Sequence, residues 1–98
     1  MLAKIIDFFD TNVSMMILID NINDLCILKG IIASVGKERV CYNVYSGKHI
    51  FKNELVTYAM EIRLPYNRYL KLMQGLQRNG YNLRQESNIG VLNRMIKL

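Results

Sequence analysis

Histidine and proline occur once each in 98 residues, and cysteine only twice. Cys26 and Cys41 are too few for a disulfide framework and bring no second pair of metal ligands. With His49 they fall short of the ligand set that a zinc centre needs. Long apolar runs are also missing. The longest, Met15 to Ile19, is far below the ~18–20 residues of a spanning helix. Asp7 and Asp10 interrupt the stretch after Lys4 that a secretory signal would keep apolar. These absences predict a cytoplasmic chain without membrane contact, metal or cofactor, its two thiols free and buried.

What is present describes one folded domain, residues 1–98. Hydrophobic residues make up 51% and charged residues 21% of the chain, a balance that excludes disorder. The net charge of +5 is unevenly spread. Residues 1–36 hold two lysines against four aspartates, a net −2. Residues 37–61 hold +1, and residues 62–98 hold seven cations against Glu86 alone, a net +6. A basic last third points to an acidic partner and argues against acidic mimicry of DNA.

No linker, repeat or low-complexity stretch interrupts the chain. Leu2, Ile5, Ile6 and Phe9 share one face at helical spacing, which predicts a short N-terminal helix. Ser14 to Asp20 reads as a buried strand and Asn21-Ile22-Asn23-Asp24 as a turn. Leu25 to Val35 reads as a second apolar strand, bent at Gly30 and reversed at Gly36-Lys37-Glu38. Val40 to Tyr45 alternates as a half-buried strand, with Ser46-Gly47-Lys48 a turn into His49–Lys52. Val56 to Leu64 alternates most clearly, and Pro65 ends it. From Tyr66 to Asn79 the period becomes helical, with Tyr66, Tyr69, Leu72, Met73 and Leu76 on one face and Gly80 as the stop. Ser87 or Asn88 caps a last short helix lined by Ile89, Leu92, Met95 and Ile96. The expected class is α+β: a short N-terminal helix, an antiparallel sheet of four to five strands, and two C-terminal helices.

Catalytic constellations are not found. His49 sits beside a glycine turn with no orienting group, and Asp20 and Asp24 fit the turn itself better than acid–base work. Gly30 to Lys37 imitates a phosphate loop but has five intervening residues and Glu38 where Ser or Thr is required, so it reads as a hairpin. The expectation is a protein that is not an enzyme.

The last third carries the binding signal. Steps of 100° bring Arg68, Lys71 and Arg78 to one side of the Tyr66–Asn79 helix, opposite its apolar stripe. Tyr81 and Arg84 follow the helix end, and Arg94 and Lys97 close the chain. Together these seven residues are the candidate site for nucleic acid or an acidic partner. The alternative is an ordinary solvated helix face. A mean hydropathy of +0.08 is high for a domain of this size, which suggests that apolar surface is covered by a partner or by a second copy, as in a homodimer.

The run Leu2-Ala3-Lys4-Ile5-Ile6-Asp7-Phe8-Phe9, the segment Met15 to Gly30 and the strand Glu54 to Leu64 resemble, in style, short uncharacterised proteins of phages and mobile elements in AT-rich bacteria. Heavy use of Ile, Asn, Lys and Tyr agrees, and the resemblance covers residues 1–64. It implies an accessory or counter-defence factor acting by stoichiometric binding. The functional expectation is therefore a non-enzymatic inhibitor of a host protein or nucleoprotein complex, with direct nucleic-acid binding as the alternative.

Overall fold

A computed structural model describes residues 2–9, 12–36, 40–51, 53–85 and 95–98. The chain runs β1 (Leu2–Phe9), β2 (Asn12–Ile19), α1 (Ile22–Val35), β3 (Cys41–Phe51), β4 (Glu54–Pro65) and α2 (Tyr66–Arg78), then two-residue strands β5 (Arg84–Gln85) and β6 (Ile96–Lys97). The sheet order is β5-β1-β2-β4-β3-β6. The four long strands are antiparallel to their neighbours, and β5 joins β1 in parallel.

The α+β class, the antiparallel sheet and the helix that begins at Tyr66 agree with expectation, but the arrangement differs. The N-terminal segment is a strand, because pairing with β2 over its full length satisfies the backbone groups that a short isolated helix would leave at its ends. The segment read as a second strand is α1. Asn21 caps it: its Oδ1 accepts from the Asp24 backbone N–H at 2.9 Å, and its Nδ2 donates to Asp24 Oδ2 at 2.9 Å. The supposed turn cluster is thus a helix start, and Gly30 lies within a helix rather than at a bend or hairpin. Gly36, at φ 104°, ends the helix in a region that side-chain-bearing residues rarely enter.

The expected turn at Ser46–Lys48 is a register shift inside one continuous strand, and β3 with β4 forms a long hairpin turning at Asn53 (φ 66°). The expected last helix falls largely on residues 86–94, outside the described residues. Its end, Ile96–Lys97, is a strand against Ser46 and Tyr45 of β3.

The sequence shows no repeat, yet the architecture has one. Each half is a β-hairpin followed by a helix, and the inner strands β2 and β4 pair about Met16 and Glu61. An offset of 45 carries Met15, Ile17 and Ile19 onto Met60, Ile62 and Leu64, all buried. An offset of 44 carries Leu25, Leu28 and Ile32 of α1 onto Tyr69, Leu72 and Leu76 of α2, also buried. The two helices pack on one sheet face over this shared core. Full burial of each Leu or Ile there contributes roughly 1.5–3 kcal/mol.

The helices approach closely where Ile31 of α1 meets Gly75 of α2. A Cβ placed on Gly75 would lie 2.7 Å from Ile31 Cγ2. On the other sheet face a smaller cluster joins Leu18, Val56, Ala59 and Met95, with Met16 and Tyr45 at its margin. The sheet face turned away from the helices is therefore partly covered by Met95.

Candidate interaction surfaces

The helix pair is tied at both ends by equivalent residues. Asp24 and Arg68, 44 positions apart, each lie in the first turn of their helix and reach the tail of the other. The Tyr81 hydroxyl, just beyond α2, donates to Asp24 Oδ1 at 2.6 Å. Arg68 Nη1 donates to the Val35 carbonyl at 3.0 Å, satisfying one of the acceptors left at the end of α1. The hydrogen bond to Asp24, with burial and the carboxylate charge, pushes the Tyr81 hydroxyl up to about 12. These contacts fix how the outer helix surfaces are presented.

The seven expected binding residues do not form one ridge. Lys71 and Arg78 remain exposed on the outer face of α2, with Gln74 between them. Arg68 is half-buried and engaged with the end of α1, so it positions a helix. Tyr81, expected among the binding residues, is half-buried and bonded to Asp24. Arg84 lies on β5 and Lys97 on β6, at opposite edges of the sheet. Arg94 lies outside the described residues. What survives of the site is a short polar and cationic strip, Asn67, Lys71, Gln74 and Arg78, at i, i+4, i+7 and i+11 of one helix.

A second surface was signalled only by strand alternation. Glu61 and Arg63 point away from the main core, as the β4 pattern indicates, and β3 sets Asn43 and Cys41 directly opposite them. Asn43 Nδ2 donates to Glu61 Oε1 at 3.3 Å. With Tyr42 these residues line a shallow depression of about 250 Å³. The sequence put no functional role here, because the pairing of β3 with β4 could not be read from either strand alone.

The thiols are free, as expected, but both are exposed rather than buried: Cys26 on α1 and Cys41 on β3. His49 pairs with Val56 inside β3 and is not in a turn. Asp20 and Asp24 serve the start of α1, where Asp20 Oδ1 accepts from Asn21 Nδ2 at 3.1 Å. Among the described residues no group of three His, Cys, Asp or Glu side chains is placed to hold a metal ion. Among the same residues no helix is long and apolar enough to cross a membrane. Compared with known protein families, curated proteins and solved structures, the chain finds no match.

Proposed function

We propose that the chain is a non-enzymatic binding protein that acts stoichiometrically on an acidic surface of a host protein or nucleoprotein complex, as an inhibitor of the counter-defence type. The observation that carries this reading is the outer strip of α2. Lys71 and Arg78 stand two turns apart with amide side chains between and beside them, on a helix held in place by Arg68 and Tyr81. Charge and hydrogen-bonding capacity on a rigid element suit recognition of carboxylate or phosphate groups better than they suit turnover of a substrate. The test is capture from host lysate with the wild type and with K71E/R78E, each with and without nuclease. The reading expects a protein captured in both nuclease conditions and lost with the charge-reversed variant. Equal capture by both proteins overturns it.

Direct nucleic-acid binding is the second reading, favoured by the same two cations and the net +5 charge. Two phosphate contacts give a slope of log K against log salt of about −1.4 to −1.8. Absence of any shift of single- or double-stranded DNA or RNA at low salt removes this alternative.

A further inference from the structure

Glu61 and Arg63 carry opposite charges on successive same-face positions of β4, about 6.8 Å apart by two rises of an antiparallel strand. Among the described residues no ion pair joins them. Arg63 is exposed, and within the same residues no hydrogen bond engages its guanidinium. Glu61 is half-buried and accepts from Asn43 Nδ2 at 3.3 Å through Oε1, which leaves Oε2 with its acceptor capacity. Across the ladder β3 sets Asn43 opposite Glu61 and Cys41 opposite Arg63. Amide, carboxylate, thiol and guanidinium thus meet around the depression of about 250 Å³. Further along the same strands Tyr45 and Ala59, with Leu18 of β2, belong to the apolar cluster under Met95, so the polar groups are confined to one end of this face.

We propose that this depression binds a compact zwitterion, an amino acid or a dipeptide, with its carboxylate on Arg63 and its ammonium on Glu61. A guanidinium presents a planar fork of donors that matches a carboxylate in two bonds. An ionised carboxylate only accepts and an ammonium only donates, so Glu61 suits the other end of the same molecule. The Asn43 amide holds the Glu61 side chain in place for that contact.

The pairing of charges selects against simpler ligands. A plain anion on Arg63 has Glu61 beside it, and a plain amine on Glu61 has Arg63 beside it. A molecule carrying both signs converts each of these repulsions into an attraction. Size points the same way, because about 250 Å³ lies below the ~300–1,000 Å³ of sites for drug-sized ligands. The rim is open, with Cys41, Tyr42 and Arg63 exposed, which sets the affinity at roughly millimolar. The depression lies on the sheet face away from α1 and α2, so the proposal does not rest on the role given to the α2 strip.

Cys41 supplies the reporter. Its thiol lines the depression, whereas Cys26 is exposed on α1 and serves as the reference within the same molecule. Alkylation of the full chain by iodoacetamide is followed at each cysteine by peptide mass spectrometry. Glycine, β-alanine and glycylglycine, with increasing separation of their charges, are each present at roughly 1–50 mM, a range that brackets a weak site. At least one of the three is expected to slow Cys41 at least threefold and leave Cys26 unchanged, and their order distinguishes an amino acid from a dipeptide. Acetate and ethylamine, with one charge each, are expected to have no effect. Arg63→Gln and Glu61→Gln are each expected to abolish the protection at an unchanged melting temperature, since both side chains reach the surface and a glutamine at 61 can still accept from Asn43. In the nitrogen-labelled wild type the side-chain amide resonances of Asn43 are expected to move with the same ligands. If no zwitterion slows Cys41 or moves those resonances, the proposal is overturned. Equal protection by acetate or ethylamine, equal protection of Cys26, or protection that persists in either variant also overturns it.

Discussion

Adding one methyl group to each of two helical glycines is expected to move stability in opposite directions. Gly30→Ala and Gly75→Ala are the same chemical change in the interior of α1 and α2. In the helix the change gains about 1 kcal/mol in propensity, partly by restricting the unfolded chain. At Gly30 the new Cβ meets nothing within 4 Å, so that gain is retained. The expected result is stabilisation by about 0.5–1 kcal/mol.

At Gly75 the new Cβ would lie 2.7 Å from Ile31 Cγ2 and 4.0 Å from its Cβ. Carbon atoms rest about 3.5–4.0 Å apart, so nearly an ångström must be found. Ile31 cannot supply it by rotation, because a β-branched side chain in a helix has one strongly preferred χ1. The helices must separate, and overpacking of that kind costs about 1–3 kcal/mol. The net expectation is destabilisation by about 1 kcal/mol, a fall of about 0.5–1 M in the urea midpoint by far-UV circular dichroism at unchanged m. Ile31→Leu moves the branch off Cβ and removes Cγ2, so I31L/G75A is expected to recover much of the loss relative to I31L. If Gly75→Ala matches or exceeds the wild type, the close approach does not constrain the helix pair and the argument fails.

Three further outcomes follow from the helix ends. Tyr81→Phe removes the bond to Asp24 and is expected to cost about 1 kcal/mol in urea unfolding at neutral pH. Because folding raises the Tyr81 hydroxyl to about 12 from an ordinary 10.0, its contribution is whole below pH 10 and lost as pH rises to 12. The gap between wild type and Tyr81→Phe should therefore close across that window, and a constant gap refutes the linkage. Arg68→Ala strips the Val35 carbonyl of its donor and is expected to lower the melting temperature by roughly 4–8 °C, the equivalent of about 1 kcal/mol in a domain of this size. Asn21→Ala removes the cap of α1 at a cost of about 1 kcal/mol, with Asn21→Gly recovering most of it.

What could be read in the sequence depended on whether each element had one period. In α2 buried and exposed residues separate cleanly, and Pro65 and Gly80 bracket it, so its limits were legible to within a residue. In β4 strict alternation set Met60, Ile62 and Leu64 apart from Glu61 and Arg63. α1 offered no such contrast, because its outer face is nearly as apolar as its inner one, and an apolar run without polar punctuation fits strand and helix alike. The signal available was Asn21 three residues before Asp24, which marks a cap as readily as a turn. In β1, Leu2, Ile5, Ile6 and Phe9 match a helical face by coincidence, and only pairing with β2 decides the matter. The roles of Arg68 and Tyr81 could not be read from spacing. Their partners lie 33 and 57 residues away, so tertiary packing converts two of the seven expected binding residues into struts.

Sharing one core between two hairpin–helix halves makes folding an obligately joint act. β2 has β4 along one edge, and α1 leans on α2, so a fragment ending at Val35 would leave its inner strand and helix exposed to water, as would a fragment beginning at Val40. Cut between those residues and supplied as two pieces, the chain would regain its structure only when both are present together, with each piece acting as template for the other.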